Sequence, residues 1–352
     1  MELILNPLLF NKPRCPVHIQ LRKEVFEAME TNDDLNLQML VAAQQDNLNR
    51  LNEILDLGID INSQDLMFSE TAIVAACRYG CIDIVKFLVS KGANANIQTK
   101  NGGTALHVAV INSKIPCLEF LLTCPDVEKD VPDDLGMTPI MLAAHRGRHQ
   151  EMAVLIKYGC QLDTANSKGK AAIHFTQLPY QGHVGHHDGF KCLKHLTDAG
   201  VDINTTDREG MTPLHYAIKG GNFSAVKWLV SENCDLDRIA NQGTIQSSVM
   251  DLPLPVTPLS LAVYYFNSRV VKLLLAVGLD KQRYSNIISY SESHPEIQSL
   301  LSEMFQIPES LKKIARRTIR KAIGRQIKNK VDFLMLPEMM KEFILCHGET
   351  KF

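Results

Sequence analysis

The apolar positions of this chain recur in blocks. A hydroxyl residue is followed by small and apolar ones in "ETAIVAACRYG", "GGTALHVAV", "GMTPIMLAAHRG", "GMTPLHYAIKGG" and "PVTPLSLAVYY". Anchored on that residue, Thr71 is followed by Thr104 after 33 positions and by Thr138 after 34 more. Ala171 fills the slot 33 further on, in "GKAAIHFTQ", and Thr212 and Thr257 come after intervals of 41 and 45. The last two intervals are the same period enlarged by inserts of 8 and 12 residues. Self-similarity at a period of this length marks a repeat array.

Each unit has a matching second half, an apolar cluster followed by glycine and an extended step: "LNEILDLGIDIN", "VKFLVSKGANAN", "MAVLIKYGCQLD", "LKHLTDAGVDIN" and "VKLLLAVGLD". The pattern predicts two short helices per unit. In Thr138–Pro139, Thr212–Pro213 and Thr257–Pro258 the threonine caps the first helix, and proline occupies its first turn, where no amide donor is missed. Alanines let the two helices approach closely. Gly58, Gly92, Gly159, Gly200 and Gly278 stand where a left-handed cap ends the second helix. One such pair cannot bury its apolar face alone, so neighbours must stack. Ahead of the array, "VHIQLRKEVFEAME" reads as an amphipathic helix expected to pack on the first unit.

These residues resemble the ankyrin repeat, whose signature G-x-T-P-L-H-x-A closes in G-A-D-x-N. Seven units run from about residue 35 to about 281, with a degenerate helical piece to about 305. The third unit has "TCPDVEKDVPDD" in place of its closing glycine, and the fifth lacks Thr-Pro. The resemblance implies an all-α solenoid with a concave surface of turn tips and inner helices. Such a fold binds protein and carries no chemistry of its own. His107 and His215 fill the Leu-His slot and read as hydrogen bonds that tie adjacent turns. Met137 and Met211 precede the threonine, at a position that in this family tends to face the concave side, which makes them candidate target contacts. In the insert "LPYQGHVGHHDGF", residues 178–190, His183, His186, His187 and Asp188 are of types that zinc accepts. The segment is glycine-rich and holds no cysteine at finger spacing. His183 and His186 are therefore read as part of a protruding loop that touches a target or does nothing. No metal and no cofactor is expected.

Composition narrows the picture. At 45% hydrophobic and 22% charged residues, the chain is globular. Nine cysteines, an odd number without CxxC spacing, read as reduced, buried thiols. "MELILNPLLF" lacks a basic start and is broken by Pro7, so it is a poor signal peptide. No apolar run approaches the roughly 18 residues of a membrane helix. The location expected is cytoplasmic, with "KKIARR" leaving the nucleus open. The signatures of phosphate loops, serine hydrolases, zinc proteases and dinucleotide sites are missing, so no active site is expected.

The charge is uneven. Residues 308–352 carry 11 basic and 5 acidic side chains, against 37 and 39 in the whole chain, so an acidic body bears a basic tail. In "SLKKIARRTIRKAI", Leu311, Ala315, Ile319 and Ala322 fall on one helical face, while Lys312, Lys313, Arg316, Arg317 and Arg320 lie mainly on the other. The regular apolar seam favours docking on a protein over a basic arm for nucleic acid. After Gly324 comes "RQIKNKVDFLMLPEMMKEFILCHG". The combination resembles the SOCS box, a C-terminal module of E3-ligase adaptors. Its pattern S/T/P-L-x-x-x-C/S/A-x-x-x-aliphatic implies that Ser310, Leu311, Ala315 and Ile319 bind elongin C. Its Leu-Pro-aliphatic-Pro motif implies that Leu334, Leu336 and Pro337 meet cullin-5, with Met335 replacing the first proline.

The whole chain thus resembles the ankyrin repeat and SOCS box family. The division expected is a capping or arm segment at 1–34, repeats at 35–305, the box at 306–347 and a tail at 348–352. The resemblance implies a substrate-recognition subunit of a cullin-RING E3 ubiquitin ligase. Its partners would be elongin C, elongin B, cullin-5 with its RING subunit, and an unidentified protein target. The alternative is a non-catalytic ankyrin scaffold or sequestering protein. The acidic body argues against a nucleic-acid binder.

Overall fold

The computed structural model describes residues 32–177, 188–240, 256–277, 295–306 and 319. Its regular elements there are all helices. The strand-like pairing among the described residues is one antiparallel bridge, Ala240 to Val256. No helix among them is long and apolar enough to cross a membrane. The chain divides into two compact units.

The first unit comprises Met1–Ser167 with His183–Ala199. Its described helices are α1 (Asn32–Gln44), α2 (Leu48–Asp56), α3 (Ala72–Tyr79), α4 (Ile82–Ser90), α5 (Ala105–Ile111), α6 (Ile115–Thr123), α7 (Pro139–His145), α8 (His149–Lys157) and α10 (Gly189–Asp198). The short inner helices are buried almost all round. In α3, Ala72, Ile73, Val74, Ala75, Ala76 and Cys77 are all buried. The partner helix α4 is amphipathic and turns Ile84, Val85 and Leu88 inward. Leu51, Leu88, Leu118 and Leu121 lose all their exposure. A leucine so buried contributes roughly 1.5–3 kcal/mol.

Each inner helix starts from an extended residue. Thr71, Thr104 and Thr138 have φ of −94°, −91° and −80° with ψ of 165°, 176° and 164°. The helix therefore enters sharply from a turn. The outer helices end as the sequence predicts, on Gly58, Gly92 and Gly159, whose φ values of +83°, +88° and +76° are left-handed. Side chains then tie each repeat to the next. Asn62 Oδ1 accepts from Asn94 N at 2.8 Å, Asn96 Oδ1 from Glu128 N at 2.9 Å, and Asp130 Oδ1 from Gln161 N at 2.9 Å.

The second unit comprises Lys168–Gly182 and Gly200–Phe352. It contains α9 (Ala172–Phe175), α11 (Pro213–Lys219), α12 (Phe223–Ser231), α13 (Pro258–Tyr264), α14 (Ser268–Val277) and α15 (Pro295–Gln306). The inter-repeat tie recurs here, with Asn204 Oδ1 accepting from Asp235 N at 2.7 Å. Gly200, with φ +97°, opens this unit in the same left-handed conformation, while Gly278 lies outside the described residues. α9 is a single turn. Its end is closed by Thr176, whose hydroxyl donates to Ile173 O at 2.8 Å, and by buried Gln177, whose Oε1 accepts from Asn222 Nδ2 at 3.0 Å. The backbone of Gly220 runs so close that a Cβ there would lie 2.4 Å from Gln177 O. The segment 241–255 is bracketed by the bridge, in which Ala240 N donates to Val256 O at 2.9 Å.

The capping expectation needs correcting. Of the threonines at helix starts, Thr257 accepts from the third amide of its helix, Ser260 N, at 3.2 Å. The hydroxyls of Thr71 and Thr138 are buried without a partner. The third helical residue differs among these starts. It is Ser260 after Thr257 and His107 after Thr104, but Val74 after Thr71 and Met141 after Thr138. Valine and methionine bring no polar side chain to the hydroxyl.

Candidate protein-binding surface

The turns before the inner helices are built on aspartates. Asp133 Oδ1 accepts from Leu135 N at 2.9 Å and Met137 N at 2.8 Å, while its own N donates to Met137 O at 2.9 Å. Asp207 repeats the arrangement, accepting from Glu209 N and Met211 N, both at 2.9 Å. Asp65 does so with Phe68 N at 3.3 Å and Glu70 N at 2.7 Å. A short polar side chain that bonds the backbone two to five residues on fixes a tight turn and pushes the residues between outward. In the first unit several of those residues are large and apolar: Leu66 is 74% exposed, Met67 44% and Leu135 76%. Neighbouring tips are bonded through their backbones, Lys100 N to Phe68 O at 2.9 Å and Asp134 N to Asn101 O at 3.2 Å.

This placement changes the reading of Met137 and Met211. Each lies two residues past the position whose amide the turn aspartate holds, Leu135 and Glu209, and they are only 5% and 4% exposed. Their backbones close the turn and their side chains pack inward, so neither presents the open methionine that the sequence leads one to expect. The exposed apolar tips Leu66, Met67 and Leu135 were missed. Their signal is the residue between a turn-building aspartate and the following glycine or serine.

The histidine slot ties turns together. In His107, Nδ1 accepts from Thr104 N at 3.1 Å and so carries no proton. Nε2–H then donates to Met137 O of the next turn at 2.9 Å. His174 does the same, from Ala171 N at 3.1 Å to Thr205 O at 3.0 Å. Its role is hidden in the sequence because Ala171 replaces the threonine. In His215, Nδ1 accepts from Thr212 N at 3.1 Å, but Nε2 makes no hydrogen bond of good geometry. Burial holds all three rings below the usual histidine range, pushing His215 down to about 4.

In the second unit the inner face carries a polar cluster. Tyr216 OH donates to buried Asp207 Oδ2 at 2.5 Å. Burial, then this bond, raises the phenol well above its ordinary value. The Lys170 ammonium lies over the Tyr216 ring, 4.8 Å from its centroid, and His174 meets that ring edge-on at 5.8 Å.

Asp188 stands just before α10 and holds His149 Nε2 at 3.3 Å and Lys191 Nζ at 2.9 Å. His183 and His186 lie outside the described residues, as do Ser310, Leu311, Ala315, Leu334, Leu336 and Pro337; Ile319 is helical and half-buried. No group of three or more histidine, cysteine or acidic side chains among the described residues could hold a metal ion. Seven cysteines are described, all as free thiols. Burial pushes Cys160 and Cys192 up to about 12, which keeps them protonated and unreactive.

Helix pairs stacked through aspartate-built turns define an ankyrin-repeat protein. A model of ankyrin repeats matches residues 39–133 and 183–285, more than half of the chain, and a SOCS box model matches residues 307–345. The chain belongs to the ankyrin repeat and SOCS box family. It is 23% identical over 304 residues to human Ankyrin repeat and SOCS box protein 16, covering 79% of this chain and 67% of that one. It is 30% identical over 195 residues to Protein glp-1 of Caenorhabditis elegans, covering 52% of this chain but 14% of that protein. Among solved structures, a chain from the complex of a predatory endopeptidase of Bdellovibrio bacteriovorus with its immunity protein matches 55% of this chain at 26% identity and a TM-score of 0.48.

Proposed function

We propose that this protein is a substrate receptor of a cullin-RING E3 ubiquitin ligase. The repeats hold a target protein. The C-terminal box holds elongin C with elongin B, and cullin-5 with its RING subunit. The observation that carries this reading is the SOCS box match at residues 307–345, directly after the ankyrin repeats. The protein itself makes no bond. It raises the local concentration of target lysines beside a ubiquitin thioester.

On this reading Leu311 and Ile319 anchor the first box helix in elongin C, with Ser310 and Ala315 beside them. Leu334, Leu336 and Pro337 carry the cullin contact. Truncating a central anchor costs about 2 kcal/mol or more. The test is calorimetry of elongin B/C against the full chain and two variants. Leu311→Ala with Ile319→Ala is expected to abolish binding while the repeats still melt normally. Charge reversal of Arg316 and Arg317 is expected to weaken binding less. Full binding by the double alanine variant would remove the receptor assignment.

A further inference from the structure

The second unit carries a basic surface that the turn architecture assembles from separate repeats. Lys168 and Arg208 occupy adjacent turn tips, joined by the bond from Arg208 N to Lys168 O at 3.1 Å. A Cβ on Gly169 would lie 2.7 Å from Arg208 N, so this close approach depends on glycine. Lys170 lies just inside, over the Tyr216 ring at 4.8 Å. Lys219 stands at the end of the same inner helix, α11, and is exposed, as are Lys168 and Arg208. Lys168 and Lys219 are both near enough to Lys170 to disfavour its charge, adding to the effect of burial, while Asp207 and Glu209 oppose them.

Two acidic groups sit among these four cations. Asp207 is buried, and it already accepts from the Tyr216 hydroxyl and from two backbone amides. Glu209 is half-buried. The positive charge therefore exceeds the negative, and three of the four cations are exposed. Next in the stack, α13 ends in Tyr264, whose ring meets that of the following Tyr265 edge-on at 5.2 Å, and Phe266 after them is 50% exposed.

We propose that Lys168, Lys170, Arg208 and Lys219, arranged around the Tyr216 ring, bind an extended acidic segment of the target protein through its carboxylates. This deepens, and rests on, the reading that the repeats hold the target. Three of the four cations are lysines, compact point charges, whereas a phosphate is best matched by the planar forks of several arginines. A nucleic-acid strand would meet the repulsion of the acidic body. The aromatic end of α13 gives an apolar residue of the same segment a place to settle.

The test is fluorescence anisotropy with the full chain and a fluorescein-labelled peptide of alternating Glu and Asp around a central Leu. The same peptide with Gln and Asn, a phosphoserine peptide on a Ser-Gly background, and a labelled oligothymidylate serve as comparisons. The acidic peptide is expected to bind more tightly than the other three and to weaken as salt rises. Lys170→Glu with Lys219→Glu is expected to weaken it at least tenfold, and Lys86→Glu on α4 to leave it unchanged. Should the Lys170 change lower the melting temperature, Lys168→Glu with Lys219→Glu, both at exposed sites, is expected to give the same loss. Equal binding by the folded reversal variant overturns the proposal. So does failure of the wild-type chain to bind the acidic peptide, or tighter binding of the phosphopeptide or oligothymidylate. Elongin B/C capture measured on the same preparation separates the two claims. Lost peptide binding with elongin capture intact defeats this inference alone. Lost elongin capture defeats the receptor reading and leaves the peptide result standing.

Discussion

The ring of His107 spans two repeats, taking a hydrogen bond from Thr104 N at 3.1 Å and giving one to Met137 O at 2.9 Å. It thereby satisfies a buried helix-start amide and the carbonyl of the following turn with one neutral side chain. His107→Ala leaves Thr104 N buried and unbonded and takes one of two bonds from Met137 O, which still accepts from Asp133 N at 2.9 Å, so the expected cost is about 1–3 kcal/mol. Urea denaturation of the variant measures the loss.

The same slot makes stability depend on pH. In the unfolded chain a histidine takes up its proton near pH 6.5, whereas folded His215 does so only near 4. Between those values the unfolded state holds more protons, so stability is fully present above about pH 6.5 and falls as the pH drops. His215 alone accounts for about 2 kcal/mol by pH 5. His107 and His174 act in the same direction. Melting curves at pH 7 and pH 5 are expected to separate, and His215→Gln is expected to narrow the gap. A gap unchanged in that variant would mean that the buried ring does not govern this range.

The threonines at helix starts are not equivalent. Thr257 accepts a bond from Ser260 N at 3.2 Å, while the hydroxyl of Thr138 is buried without a partner. Thr257→Val is therefore expected to cost about 1 kcal/mol. Thr138→Val, which removes an unsatisfied polar atom at nearly constant shape, is expected to be neutral or stabilising. Chemical denaturation of both variants should give this order.

Ala143 on α7 is completely buried, and its carbonyl accepts from Arg148 N at 2.8 Å. Leucine there must displace a packed neighbour, at about 1–3 kcal/mol. An unchanged melting temperature for Ala143→Leu would contradict this packing.

The ends of the segment 241–255 are held together by the bond from Ala240 N to Val256 O at 2.9 Å. Replacing the segment with a Gly-Ser linker of about four residues shortens a closed loop. Because closure entropy changes by only about 0.6 kcal/mol per doubling of length, stability is expected to stay the same or rise by about 1 kcal/mol. Loss of a cooperative transition in the melting curve would show that the segment belongs to the core.

The repeat architecture was readable because its constraints are local. An extended residue before Pro139 or Pro213, and a left-handed glycine such as Gly92, each leave a mark at one position. The bonds of the turns were not readable, because they depend on which atoms face each other across about 30 residues. His174 was passed over since Ala171 hides the motif, although the backbone of Ala171, at φ −89° and ψ 171°, holds the same conformation as the threonines. Met137 was read as a surface residue, but the turn built by Asp133 exposes Leu135 and folds Met137 under. The cluster of Lys170, Asp207 and Tyr216 joins two turns and a helix, and nothing in the spacing of those residues announces it.

The side-chain oxygens of Asn62, Asn96, Asp130 and Asn204 each accept from a backbone amide of the following repeat. Bonds arranged in series share a tension equally instead of resisting it together. Pulled from its two ends, such a chain gives way in steps, each paying out one repeat of about 33 residues, or roughly 115 Å of extended backbone. Mechanically the protein is a row of separate catches, and the weakest catch sets the force at which it starts to lengthen.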